Sequence, residues 1–304
     1  MIFDFIIIGA GLSGSYAASK LIENSKTVLV LEKSRGIGGR FSTKPISNDI
    51  VDYGCQYMNP KTKLVNNILK NLEKNKVLNQ VEIEEGKKVY VSPYGMNKVP
   101  QYFAMNIPVL TNTKVIKIKK VHSHWLIKTD LMEFKSKFLI SSIPIPQNIQ
   151  LFKKSNLELN LSDLPQINYR SFFTITCVSE SINRTILSKP NKEFSWICNN
   201  TLKGLRNEKN IYTLNTSTLL TNQLINQKKD KIKILLKKKL ELFGIENFQN
   251  LSIHFWKYAF SDSGSGIDSY LNNDLNLGLC GDGFGQGKVD GAITSADILV
   301  KNVI

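Results

Sequence analysis

Gly9, Gly11 and Gly14 stand in a Gly-x-Gly-x-x-Gly spacing, and Glu32 follows eighteen residues after Gly14. Each type suits one task in holding a dinucleotide. Gly9 permits a tight turn, Gly11 has no Cβ to keep the backbone from a pyrophosphate, and Gly14 lets a helix lie close on a strand. Free N–H groups at the start of that helix, together with its dipole, favour phosphate charge. A carboxylate at Glu32 accepts hydrogen bonds from both hydroxyls of an adenosine ribose.

That chemistry requires a strand before the glycines, a helix after them and a second strand ending at the acid. The apolar run Phe3, Phe5, Ile6, Ile7 and Ile8 predicts the first strand, residues 15–22 the helix and residues 28–31 the second strand. After Glu32 the chain reads Lys33-Ser34-Arg35-Gly36-Ile37-Gly38-Gly39-Arg40. A plain NAD fold does not need this second glycine loop. Its presence, with an arginine fork able to neutralise a pyrophosphate, points to FAD. Lys33, Gly39 and Arg40 join the candidate cofactor residues.

A third segment lies near the end of the chain. Residues 277–280 predict a buried strand, Gly281-Asp282 follows, and Gly283-Phe284-Gly285-Gln286-Gly287-Lys288-Val289-Asp290-Gly291-Ala292 opens a last helix. Asp282 can bond the ribityl or pyrophosphate region. A helix starting near Val289 aims N–H groups at a flavin carbonyl edge, so Gly281, Val289 and Gly291 are candidates too.

The Gly-Gly-Arg after the ribose-binding acid resembles the amine-oxidase-like flavoproteins. With Phe41-Ser42-Thr43, Val51-Asp52-Tyr53-Gly54-Cys55-Gln56-Tyr57 and Trp256-Lys257-Tyr258-Ala259, the resemblance narrows to the renalase-like group. Phe41 departs from the methionine usual there, and Cys55 from an alanine. The resemblance implies flavin contacts by Arg40, Gln56, Tyr57 and Ser13, and an adenine contact by the Val115 backbone. It also implies non-covalent FAD and oxidation of dihydro isomers of NAD(P) by hydride transfer to flavin, with dioxygen reoxidising the flavin and giving hydrogen peroxide. A dihydropyridine expels hydride by aromatising and needs no general base. His122, His124 and His254 sit in no recognised catalytic setting. Tyr57, Trp256, Tyr258 and Phe260 are candidates for an aromatic pocket, with core packing as the competing role. A flavin amine oxidase or related dehydrogenase is the first alternative, and a flavin-binding protein without turnover the second.

The 304 residues are 42% apolar, with no low-complexity tract. No apolar run reaches membrane-spanning length, and the first strand starts at the second residue, so a cytoplasmic protein without a leader is expected. The net charge of +15 comes from dispersed lysines. Between 228 and 239 they form the outer face of a helix whose inner face is Ile232, Leu235, Leu236, Leu240 and Phe243. No nucleic-acid module accompanies them, although a positive field attracts an anionic substrate. Cys55, Cys177, Cys198 and Cys280 are scattered, which argues against metal or disulfide, and no oligomer signature is legible.

The expected architecture is α/β: a Rossmann-type FAD-binding domain with a second, smaller antiparallel-sheet substrate domain. Residues 1–78, 105–148 and 251–304 form the first domain, and 79–104 and 149–250 the second. Helices at 63–77 and 224–243, a hairpin at 81–91 turning at Gly86, and strands at 113–118, 124–129, 133–140, 169–178, 194–198, 211–216 and 251–260 complete the reading.

Overall fold

The computed structural model describes residues 1–84, 86–180, 186–188 and 190–304. The chain opens with β1 (Phe3–Ile8), α1 (Leu12–Glu23) and β2 (Val28–Leu31). A short hairpin, β3 (Thr43–Ile46) and β4 (Asp49–Asp52), precedes α2 (Lys63–Lys74). Next come the hairpin β5 (Asn79–Glu84) and β6 (Lys87–Val91), α3 (Lys98–Phe103) and β7 (Val109–Leu110). The meander is β8 (Val115–Val121), β9 (His124–Thr129) and β10 (Glu133–Ser141), and α4 (Ile145–Ser155) follows it. Then come β11 (Tyr169–Val178), β12 (Ile186–Ser188), β13 (Phe194–Asn199) and β14 (Ile211–Thr216), with α5 (Thr218–Leu224) and α6 (Lys229–Leu242). The last elements are β15 (Gln249–Ser261), β16 (Tyr270–Asn272), β17 (Leu277–Leu279) and α7 (Lys288–Val303).

Strand β1 lies at the centre of the first sheet, whose order is β16-β17-β10-β1-β2-β7, with β9 and β8 continuing from β10. The pairs β1–β2, β1–β10, β2–β7 and β10–β17 are parallel. Alternation along β1 explains why both sheet faces are covered. Phe5 and Ile7 pack with α1 and α7, whereas Ile6 and Ile8 pack with Ile118, Trp125 and Ile127 of the meander. Ile6 and Ile7 are wholly buried, a contribution of about 1.5–3 kcal/mol each.

The second sheet runs β12-β13-β14-β11-β15, and its pairs are antiparallel. Phe173, Ile175, Phe194, Tyr212 and Leu214 cover one face with α5 and α6. Ser252 and Trp256 on β15 meet the β3–β4 region from the other direction, through Lys44 and the Tyr53 carbonyl.

The structure departs from the sequence reading in several places. The helix expected over 224–243 is shorter, α6 alone, because α5, capped by Ser217 through a bond from Leu220 N, ends at Leu224 and Lys228 adopts an extended conformation before α6. Ile232, Leu236 and Leu240 face inward as expected, but Leu235 is exposed. Strand β15 belongs to the second sheet as far as Ser261, so the chain rejoins the first sheet at β16–β17 and not at 251. Helix α3 packs on α1, which places 98–103 with the first sheet and not with the second. The hairpin near Gly86 forms as read, apart from Glu85, which lies outside the described residues. No helix among the described residues is long and apolar enough to cross a membrane.

Candidate nucleotide site and cleft

The two glycine loops close on each other over the top of β1. Gly38 N donates to Ala10 O at 2.9 Å, and Gly11 and Gly38 form a parallel bridge. Gly39, at φ +56°, is so close that a Cβ there would lie 3.1 Å from Gly11 Cα. A Cβ on Gly14 would lie 2.1 Å from Gly9 O, which is why α1 can sit directly against the turn. A Cβ on Gly11 meets only Gly39 Cα, at 3.9 Å. The cradle therefore has room at Gly11 and none at Gly14.

The first hydrogen bond of α1 is from Ser15 N to Gly11 O, which leaves the amides of Leu12, Ser13 and Gly14 free in the first turn. Ser13 Oγ is buried beside the Cys280 thiol, with no nitrogen or oxygen partner in the protein. That hydroxyl beside free amides and a backbone open to close approach fits a bound pyrophosphate. Glu32 is buried at the end of β2, where its two oxygens accept from Ala10 N at 2.9 Å and Ser34 N at 2.7 Å. Lys33 is exposed beside it. Thr113 N bonds Glu32 O, so the loop leading to Val115 runs beside the acid.

Arg40 and Asp282 meet across 242 positions of sequence in a two-pronged bond, Nη1–Oδ2 at 2.5 Å and Nη2–Oδ1 at 2.6 Å. Burial opposes the Arg40 charge, but the Asp282 carboxylate outweighs it and holds the group above its ordinary range. The Tyr169 ring lies 5.9 Å from the guanidinium, and Tyr258 stacks edge-on against Tyr169. Burial, then Asp282, pushes the Tyr169 hydroxyl upward, so it stays protonated. Gly281 N donates to Ser295 Oγ, and a Cβ on Gly291 would lie 2.3 Å from Phe284 O. These contacts seat the start of α7 against the Gly281–Asp282 turn. The first bond of α7 is Gly291 N to Gly287 O, so the amides of Lys288, Val289 and Asp290 are free of it. Asp290 turns to Lys61 N and Thr62 N instead.

Gln56 differs from expectation. Its Nε2 donates to Asp52 O and Gly54 O, and its Oε1 accepts from Lys203 Nζ at 3.0 Å. Both ends of the side-chain amide serve the protein, so a flavin edge could meet only its backbone. Lys203 is wholly buried and also reaches Asp52 Oδ2 at 2.9 Å and Asn200 Oδ1 at 3.2 Å. In the sequence, only its place in a turn closed by Gly204, at φ +119°, distinguishes this lysine from the others.

The aromatic candidates divide. Tyr57 is half-buried against Trp196, with ring centres 5.8 Å apart. Trp256 donates Nε1 to Tyr53 O at 3.0 Å and stacks on Tyr53, and Tyr258 joins the Arg40 group. Phe260 packs with Phe172 and Arg170. His122 is exposed at a turn, and His254 touches Trp256 edge-on. Cys280 is buried at the end of β17, where burial pushes its thiol up to about 12. Cys55 is likewise pushed up to about 12, so neither thiol is nucleophilic near neutrality. Among the described residues no cluster suits a metal ion.

Replacing Arg40 with lysine should preserve the charge but lose one of the two parallel bonds to Asp282. The expected result is FAD affinity lowered about tenfold with little change in melting temperature. Equilibrium dialysis and differential scanning fluorimetry would check the two parts.

A family model described as an NAD(P)-binding Rossmann-like domain matches residues 7–72. Flavin-containing amine oxidase A of Bos taurus is 40% identical over 73 residues, 23% of this chain and 14% of that protein. Putrescine oxidase of Kocuria rosea is 31% identical over 93 residues, 30% of this chain and 19% of that one. These matches thus span under a fifth of the curated relatives' length. A solved structure of a candidate protoporphyrinogen oxidase from Exiguobacterium sp. 255-15 superimposes with TM-score 0.78 at 10% identity, covering 98% of both chains. A CLA-producing fatty acid isomerase from P. acnes gives 0.71 at 11% identity, covering 99% of both. Over residues 7–72 this chain is similar in sequence to NAD(P)-binding Rossmann-like domains and to the corresponding part of flavin-containing amine oxidases, and over its whole length it shares the fold of these solved structures.

Proposed function

We propose that this chain binds FAD non-covalently and oxidises dihydro isomers of NAD(P) by hydride transfer, with dioxygen as terminal acceptor. Gly9, Gly11, Ser13, Gly14 and Gly39 would hold the pyrophosphate, with Glu32 at the ribose and Arg40 and Asp282 beside the chain between the two ends. The free amides at Lys288 and Val289 would meet the flavin carbonyl edge. Bound FAD supplies the two-electron acceptor. The protein then has to exclude water, hold the donor ring flat and leave its proton inventory alone.

One observation carries the choice of donor: the carboxylates that these loops bring in are already engaged. Asp282 is committed to Arg40, Asp52 to Lys203, Glu32 to two amides and Asp290 to a loop. No carboxylate among them is free to accept an alcohol proton or to pair with an ammonium. A dihydropyridine asks for neither, since the ring nitrogen lone pair expels the hydride. Tyr57, Trp256 and Tyr258 would supply the flat apolar surface.

A second reading, a flavin amine oxidase, is favoured by the sequence matches to amine oxidase A and putrescine oxidase. A neutral amine could lie against the same aromatic faces. Anaerobic stopped-flow mixing of the yellow protein with isomeric dihydronicotinamides, ordinary NADH and a panel of amines separates the readings. Rapid bleaching by the isomers alone is expected. Bleaching by an amine alone would establish the second reading, and no bleaching would leave a cofactor-binding protein without turnover.

A further inference from the structure

Lys44 reaches from β3 to β15, where its Nζ donates to Ser252 Oγ at 2.7 Å and lies 5.0 Å from the centre of the Tyr53 ring. His254 sits two residues along, edge-on to Tyr53 at 5.3 Å and to Trp256 at 4.3 Å. The Trp256 Nε1 bond to Tyr53 O fixes the orientation of that indole, so the aromatic group is a built feature.

The charges here are unbalanced. Burial, and then Arg35 nearby, pushes Lys44 below its ordinary value, and burial followed by Lys44 does the same to His254. Among the described residues no carboxylate oxygen lies within 4.0 Å of Lys44 Nζ. Two other cations are treated otherwise, Arg40 being paired with Asp282 and the buried Lys203 with Asp52. A half-buried ammonium facing an arginine without a counter-ion costs free energy that an arriving anion would restore. A protonated amine would be repelled from the same place.

We infer that Lys44, with Ser252 and His254 beside it, is a subsite for a phosphate carried by the oxidised substrate. This rests on the dihydronicotinamide reading and deepens it, since such donors carry phosphate and amines do not. His254 lies four positions along the strand from Tyr258, whose carbonyl accepts from Arg40. At the usual strand rise that is about 13 Å, which sets this subsite apart from the Arg40–Asp282 pair. A donor would thus present its phosphate several bonds from its reacting ring.

The test uses FAD-loaded protein and inorganic phosphate as the probe. Tryptophan fluorescence is followed at constant ionic strength set with chloride, and Trp256→Phe identifies the reporter. A saturable change is expected in the wild type, weakened about tenfold in Lys44→Gln and kept in Lys44→Arg. In turnover, Lys44→Gln should raise KM about tenfold for a dihydronicotinamide ribose 5′-phosphate and leave KM for the dephosphorylated riboside unchanged. A phosphate response equal to that of chloride, or equal KM changes for both donors, overturns the proposal. So does loss of FAD from Lys44→Gln, which would assign the cation to the cofactor. If no donor bleaches the flavin while Lys44-dependent phosphate binding persists, the functional reading falls and the subsite stands.

Discussion

Gly11→Ala is expected to fold with wild-type stability yet emerge colourless, while Gly14→Ala should melt at a clearly lower temperature. The two glycines belong to one turn, but their surroundings are opposite. Gly11 has φ −80° and ψ −174°, an extended conformation open to any residue. Its added methyl would have only Gly39 Cα nearby, at 3.9 Å, so the protein itself accepts it. What the methyl would fill is the approach that the proposed pyrophosphate would take. FAD affinity should fall about a hundredfold or more, near 3 kcal/mol. At Gly14 a methyl would sit 2.1 Å from Gly9 O and 2.5 Å from Ser142 Oγ. Alanine's helix preference, about 1 kcal/mol over glycine, is smaller than the strain of displacing α1 from β1, at or above the usual 1–3 kcal/mol of overpacking, roughly. Flavin absorbance after reconstitution, with circular dichroism melts of the apoprotein, checks both halves. A Gly11→Ala protein that stays yellow would remove the pyrophosphate from this turn.

Lys203→Met should lower the melting temperature by about 10 °C, on a scale of roughly 2–4 °C per kcal/mol for chains of this order. The reason is the carboxylate left behind. Asp52 and Lys203 are both wholly buried, and Asp52 Oδ1 already accepts from Thr43 Oγ1 and Met96 N. Removing the ammonium strands a charge inside the protein, a loss of about 3–5 kcal/mol for one broken partner. The double variant Lys203→Met with Asp52→Asn should recover most of it, since the uncompensated charge is gone. Gln56 loses a bond as well, so the stretch Gly54–Tyr57 should loosen and FAD should dissociate faster from the single variant. Thermal melts of both variants, with stopped-flow chase of bound flavin, are the measurements. Equal destabilisation of the single and double variants would mean that side-chain volume, not charge, is what Lys203 contributes.

Much of the geometry from Gly9 to Glu32 was legible because its determinants are local. A tight turn, a close approach and a helix start each require a residue type within a few positions of one another, and Gly9 to Glu32 satisfies all of them in order. The β1–β2 pair, the meander and α7 follow from apolar periodicity in the same way. Gln56 was legible as a motif residue but not as a side chain. Its amide is turned inward by Lys203, which is 147 positions away. The two-helix form of 218–242 was missed because the apolar spacing continues across a break made by backbone conformation at Lys228.

The amino-acid sequence by itself determined the two glycine loops, the acid at the end of β2, the placement of Asp282 before a helix, and the burial of both faces of β1. These depend on short-range sterics and on periodicity, which any stretch of chain carries with it. Tertiary structure alone decided that Arg40 closes on Asp282, that a buried lysine fixes Gln56, and that Lys44 faces an aromatic cluster without a counter-ion. Charge pairing depends on distance in space, and a chain rich in dispersed lysines gives no linear sign of which few will be buried.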